Sequence, residues 1–194
     1  MSVHPVSSPS TGQSAPMPSP AWPVVQVATG PCWLGALAVA HTHAGVCAIL
    51  FGDTTDALRE ELAQRFSDNQ LALVDPDHHD TALAAVQEFL DDPSRPFRLE
   101  LDMHGTPFQR RVWQALLTIP VGTTTTYTDL ARQIGAPNSV RAVANACGAN
   151  LLAGVVPCHR VIRRDGTLSG YRCGIERKRQ LLAHEARITQ PILS

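Results

Sequence analysis

The 194-residue chain has no apolar run of about 18 residues, the length a membrane-spanning helix needs, so no membrane association is expected. Its N-terminus lacks a basic segment followed by an apolar one, so no secretory signal is expected. Five cysteines (Cys32, Cys47, Cys147, Cys158 and Cys173) form no CxxC pair, and their odd number argues against a disulfide framework. His41/His43 and His78/His79 have no cysteine partner at finger spacing, so no metal is expected. A Gly-rich dinucleotide fingerprint is also missing, and no cofactor is expected. These absences point to free thiols in a reducing cytoplasm.

A net charge of one sign is lacking too. Lys+Arg total 16 and Asp+Glu 17, giving −1, but the average hides a division. Residues 1–104 carry four Arg against 13 acidic residues, a net −9; residues 105–194 carry 12 basic against four acidic, a net +8. The asymmetry fits an acidic scaffold joined to a segment that meets a polyanion. Unevenly solvated faces would give the same count.

The pattern along the chain predicts an α+β fold. Residues 1–23, rich in Ser and Pro, read as a disordered tail. Cys32–Ala40 and Val46–Phe51 read as a β-hairpin around a turn at His41–Gly45. Leu58, Leu62 and Phe66 share a helical stripe in Asp56–Phe66, and Leu83, Val86, Phe89 and Leu90 do so in Thr81–Leu90. Phe97–Asp102 alternates with period two and reads as a half-buried strand. A small α/β domain is thus expected over 24–103, followed by a mostly helical domain over 104–190.

In the second domain Thr106-Pro107-Phe108-Gln109 is a capping box with Pro at the first helical position. Phe108, Val112, Ala115, Leu116 and Ile119 supply that helix's apolar face, and Pro120 stops it. Thr126-Tyr127-Thr128-Asp129 opens another helix, which Gly135 can close, and Asn138 or Ser139 can cap a third running to about Cys147. Helix, short turn, helix outlines a helix-turn-helix. The third helix carries one long side chain, Arg141, among small ones. Small residues either pack tightly against another helix or let the backbone approach a narrow groove, where a lone Arg could enter the base stack.

Val155-Val156-Pro157-Cys158-His159-Arg160-Val161-Ile162 places a thiol beside a base within an apolar, strand-like run. Basic neighbours favour the reactive thiolate. In an extended segment adjacent side chains diverge, so His159 would reach the thiol through a bend or a bridging water. Alone, a Cys-His dipeptide is more often a buried structural pair.

Pro157-Cys158-His159-Arg160-Val161, preceded by Arg141-Ala142-Val143-Ala144 and Asn150 and followed by Gly170-Tyr171-Arg172, resembles the O6-alkylguanine-DNA alkyltransferases. The match spans about residues 105–187 and is closest to the C-terminal half of bacterial adaptive-response regulators. The resemblance implies a ribonuclease-H-like N-terminal domain and a helix-turn-helix alkyltransferase domain. It implies transfer of an alkyl group from O6-alkylguanine, and from O4-alkylthymine, in double-stranded DNA to Cys158, once per molecule. His159 would deprotonate Cys158 through a water, and Glu185 would orient His159. Tyr127 would donate a proton to the guanine ring, and Asn150 would be the hinge tying the recognition helix to the active-site turn. Arg141 would fill the gap left by the flipped nucleotide, with Ser139, Ala142 and Asn145 on the same minor-groove surface and Tyr171 walling the base pocket. The protein is expected to act as a monomer.

The chemistry is coherent by itself. Displacement at a saturated carbon needs a thiolate, a proton donor for the leaving guanine, and a base outside the duplex. Three positions depart from the family pattern: Leu151 where Pro is common, Gly154 where a bulky aliphatic is usual, and Cys173 in place of Trp. Leu151 is expected to loosen its turn, Gly154 to cost stability that an aliphatic would restore, and Cys173 to leave the pocket wall less buttressed. A non-repairing lesion binder would lack Cys158. A regulatory module would need a Cys-rich segment before residue 24, and a cysteine hydrolase an oxyanion hole; neither feature is found in the sequence.

Overall fold

Small and large apolar residues alternate through Ala36-Leu37-Ala38-Val39-Ala40, and the alternation sorts them onto opposite faces of one sheet. The computed structural model describes residues 24–75, 80–168 and 170–190. Strands β1 (Val25–Cys32), β2 (Gly35–Thr42) and β3 (Gly45–Gly52) are antiparallel neighbours. Helix α1 (Thr55–Arg65) then crosses back to β4 (Leu71–Leu73), which pairs parallel with β1 and gives the order β3-β2-β1-β4. Ala36, Ala38, Ala40 and Ala48 line the face on which α1 packs Leu58 and Leu62. Leu37, Val39, Ile49 and Phe51 line the other, in a core shared with α2 (Thr81–Asp91) and the C-terminal helices. Each fully buried Leu or Val in these layers stabilises the fold by about 1.5–3 kcal/mol.

The C-terminal part is helical: α3 (Pro107–Leu117), a short strand β5 (Thr125–Thr126), α4 (Tyr127–Gln133), α5 (Val140–Ala149) and α6 (Ile175–Thr189). The expected capping box forms in full, with Thr106 Oγ1 accepting from Gln109 N and Gln109 Oε1 accepting from Thr106 N. Thr126 caps α4 by accepting from Asp129 N, and Gly135 turns the chain at φ +69° toward α5. The fold class is therefore α+β, as the pattern predicts. Among the described residues no helix is long and apolar enough to cross a membrane.

Several local expectations are corrected. The hairpin is one side of a larger sheet, because Val25–Cys32 is itself a strand and Cys32 ends it rather than starting the next. Phe97–Asp102 is not a regular strand: it alternates in burial but contributes one bridge, Leu101 to Val46. The strand-like run around Cys158 is a 3-10 turn, Cys158–Arg160, followed by a two-residue strand β6 (Val161–Ile162) parallel to β5. Helix α3 ends three residues before Pro120, and Ser139 occupies the N-cap of α5 without a side-chain capping bond. The tail expected over 1–23 and the His78/His79 pair lie outside the described residues.

The outer edge of β3 anchors the segment that leads to Cys158. Val46 exchanges hydrogen bonds with Glu100 and Asp102, and Ile49 with Leu151 and Ala153. The chain after α5 is thereby fastened to the sheet, as an exposed strand edge requires.

Candidate active site

Asn150 ends α5 and turns the chain toward Cys158. Its Oδ1 accepts from Leu152 N at 2.9 Å, while its Nδ2 donates to Val156 O at 3.0 Å and to Cys158 Sγ at 3.3 Å. One buried amide thus fixes the loop and touches the thiol. The turn expected to be loose at Leu151 is held by these bonds and by Leu151 O, which accepts from Ile49 N at 2.7 Å.

Gly154 sits in this loop at φ +81°, a conformation that side chains disfavour. A Cβ there would lie 2.9 Å from Leu90 Cδ2 and 3.3 Å from Phe51 Cζ. The expectation that an aliphatic residue would restore stability is overturned: Leu90 and Phe51 already occupy its space.

The 3-10 turn directs Cys158 and His159 inward together, and both are buried. Burial pushes the Cys158 thiol up to about 11, with the Asn150 hydrogen bond and the charge of Lys178 pulling the other way. The resting group is a thiol and needs a base. Burial lowers the His159 pKa against the pull of Glu185, which keeps the ring neutral near pH 7. His159 Nε2 is 2.7 Å from Glu185 Oε1. A carboxylate can only accept, so Nε2 carries the proton and Nδ1 the lone pair. Nδ1 is buried and has no partner among the described residues, leaving it available to take a proton.

Burial alone would raise the Glu185 carboxyl, but hydrogen bonds from His159 and Arg160 outweigh it and hold the group at about 2. Arg160 Nε lies 3.0 Å and 3.1 Å from the two carboxylate oxygens, and Nη2 donates at 2.8 Å. Gly122 N donates to Oε2 at 3.1 Å. Arg160 also donates through Nη1 to Ile119 O, so its charge is paired and its fork largely satisfied.

The Tyr171 ring meets the His159 ring edge to face at 6.5 Å. Its hydroxyl is buried beside the Gly154 backbone, and burial holds its pKa well above the ordinary tyrosine value. Tyr127 is the first residue of α4, directly after β5. Since Thr126 pairs with Ile162, the sheet register brings Tyr127 to the side of the Cys158 turn. On α5, Val143, Ala146 and Cys147 face the core, whereas Arg141, Ala142, Asn145 and Gly148 are exposed or half-buried. Arg141 makes no hydrogen bond or ion pair among the described residues, and Ser139 is half-buried at the helix start.

Sequence reasoning brought Cys158, His159, Glu185, Asn150 and Tyr171 to one place, and the structure groups them. It missed Lys178, the chain's only lysine, which is buried and donates Nζ to Val161 O at 2.6 Å. It also missed the pairing of Arg160 with Glu185. The signal was present on α6: Lys178, Leu181 and Glu185 recur at helical spacing and all three are buried. Among the described residues no group of three or more His, Cys, Asp or Glu could hold a metal ion.

Residues 107–187 match the family model described as 6-O-methylguanine DNA methyltransferase, DNA binding domain. The chain is 50% identical over 165 residues to the bifunctional transcriptional activator/DNA repair enzyme Ada of Escherichia coli, covering 84% of this chain and 46% of that protein. It therefore spans just under half of Ada. A methylated-DNA–protein-cysteine methyltransferase of Mycobacterium tuberculosis is 50% identical over 111 residues, which cover 57% of this chain and 67% of that one. The crystal structure of M. tuberculosis OGT in complex with DNA superposes with a TM-score of 0.71 at 38% identity, covering 84% of this chain and 94% of that one. A second solved neighbour, the O6-methylguanine-DNA methyltransferase of the archaeon Pyrococcus kodakaraensis, gives 0.64 at 27% identity over 83% of this chain and 98% of its own. With matches of this identity over two thirds or more of such relatives, the chain belongs to the O6-methylguanine-DNA methyltransferase family.

Proposed function

We propose that this protein repairs alkylated DNA directly, moving the alkyl group of O6-alkylguanine onto Cys158. The observation that carries the reading is the burial together of Cys158 and a His159–Glu185 pair, with His159 Nδ1 left unpartnered among the described residues and an Asn150 amide on the sulfur. His159 takes the thiol proton through a water. The sulfur lone pair attacks the alkyl carbon, a C–S bond forms, and the C–O6 bond breaks with its electron pair moving into the guanine. Tyr127 supplies a proton to the ring, so a neutral guanine leaves. The thioether is not a leaving group, and each molecule reacts once. No cofactor enters this balance. O4-alkylthymine presents the same alkyl–oxygen bond and falls within the same chemistry.

The target base must leave the stack to meet a buried thiol. The outer face of α5 supports a minor-groove approach: Ala142, Asn145 and Gly148 are small or short, and Arg141 projects alone. Ser139 begins that surface, and Tyr171 forms one wall of the base pocket. The reading takes residues 24–103 as an acidic α/β scaffold and 104–190 as the DNA-binding alkyltransferase unit, acting as a monomer in the cytoplasm. Regulation of transcription, named for Ada, is not part of it.

Intact-mass measurement after incubation with a duplex containing O6-methylguanine tests the proposal. The gain of one methyl group, absent in Cys158→Ala, is expected. An unchanged mass with tight binding would overturn it in favour of a lesion binder.

A further inference from the structure

The wall of the pocket, residues 170–174, leads into α6 without helix or strand of its own, and glycine stands at both ends. Side chains fix it instead. At its far end Arg177 donates through Nη1 to Cys173 O at 3.1 Å and through Nε to Leu34 O at 2.9 Å, and its Nη2 meets Asp53. At its near end Arg172 folds inward. Its Nη2 donates to Gly148 O at 2.8 Å, its Nη1 lies 3.8 Å from Glu61 on α1, and its Nε is buried without a partner.

Gly148 belongs to the last turn of α5, where helix carbonyls lack intrahelical donors. Three elements supply them. Trp113 Nε1 of α3 donates to Ala146 O at 2.8 Å, Asn150 N to Cys147 O, and Arg172 to Gly148 O. Two of these partners lead toward the site: Asn150 touches Cys158 Sγ, and Arg172 adjoins Tyr171, whose ring meets that of His159.

We propose that Arg172 is a positioning residue that fastens the Tyr171 wall to the end of the DNA-facing helix, so that seating α5 on DNA also sets the width of the alkyl pocket. The inference rests on alkyl transfer at Cys158. A guanidinium suits the task because its rigid fork reaches a carbonyl and a carboxylate at once. Neither Arg172 nor Glu61 touches the reacting atoms, so their effect is on the geometry of approach, to which transfer rates are steeply sensitive.

The experiment compares single-turnover alkylation of Cys158 by an O6-methylguanine duplex and by free O6-benzylguanine, for the wild type, Arg172→Ala, Arg172→Lys and Glu61→Gln. Arg172→Ala is expected to lower the saturating rate on duplex about tenfold while duplex affinity and the free-base rate change by less than about twofold. Arg172→Lys should recover part of the duplex rate, and Glu61→Gln should show a smaller loss of the same selective kind. Equal losses on both substrates would reduce Arg172 to a structural role and overturn the proposal, as would no loss on either. Should Arg172→Ala not fold, the Lys and Gln variants decide it by the same criterion. A wild type that takes no alkyl group from either substrate would instead defeat the underlying function.

Discussion

Glu185 faces His159 Nε2 at 2.7 Å, and the same carboxylate receives Nε and Nη2 of Arg160. All three residues are buried. One anion therefore orients the base and neutralises a buried guanidinium. Replacing Glu185 by Gln keeps the shape but strands the Arg160 charge, which typically costs about 3–5 kcal/mol when one partner of a buried pair is lost. Urea denaturation of Glu185→Gln should show a loss of that size. A change below about 1 kcal/mol would mean that solvent reaches Arg160.

His159→Ala removes the proton acceptor but not the thiol. Cys158 is held up to about 11, so few molecules carry a thiolate at pH 7 without help. The single-turnover rate at pH 7 should fall by about 10²–10⁴-fold. In the variant the rate should then climb with pH toward 11, as hydroxide does what the imidazole no longer can. A rate independent of pH in His159→Ala would contradict the assignment of the base.

Acid should destabilise the protein in two stages. His159 has a folded pKa below its ordinary 6.5 because burial disfavours its charge, so the unfolded chain binds the proton first and stability declines as pH falls below about 6.5. Glu185 has a folded pKa of about 2 against an ordinary 4.5. Its contribution is fully present above 4.5 and is lost as pH falls toward 2, a difference of about 3 kcal/mol. Thermal melts from pH 8 to pH 3 should record both declines, and Glu185→Gln should lack the second.

Local signals were the legible ones. The Thr106/Gln109 capping box and the Thr126 cap are written within four residues, and both form as their sequences predict. β1 was illegible because Gln26, Thr29, Gly30 and Pro31 interrupt its apolar residues, and pairing with β2 supplies what propensity does not. Phe97–Asp102 alternates because it lies along the edge of β3, and burial with period two does not by itself make a ladder. Cys158 and His159 were visible through their motif. The partners of Arg160, Arg172 and Lys178 were not, because they lie 17 or more residues away and only the fold brings them together.

Arg141 projects from the exposed face of α5 without a partner among the described residues. Arg141→Ala should therefore leave folding stability within about 0.5 kcal/mol, as for other exposed substitutions. Filling the gap left by an extruded base offsets an unstacking cost of a few kcal/mol, so the duplex reaction should slow by about 10- to 100-fold. The reaction with a free alkylated base needs no extrusion and should be unaffected. Equal slowing of both reactions would remove Arg141 from base extrusion.

Gly154 provides the sharpest contrast between the family pattern and this chain. An aliphatic residue is usual there, yet here the backbone is left-handed, with Leu90 Cδ2 2.9 Å from where a Cβ would stand. Two penalties combine in Gly154→Ile: a β-branched residue at positive φ, and overpacking against Leu90 and Phe51. Each is of order 1–3 kcal/mol, and the variant should melt well below the wild type. Gly154→Ala meets the same Cβ contact with less bulk and should lose less. Pairing Gly154→Ile with Leu90→Ala opens the space that the side chain needs, so the second substitution should cost less in that background than alone. Non-additivity of that sign, read from a double-mutant cycle of denaturation free energies, would show that α2 fills the family's aliphatic position. A higher melting temperature for Gly154→Ile alone would show instead that the loop can move to the right-handed conformation and accept the side chain.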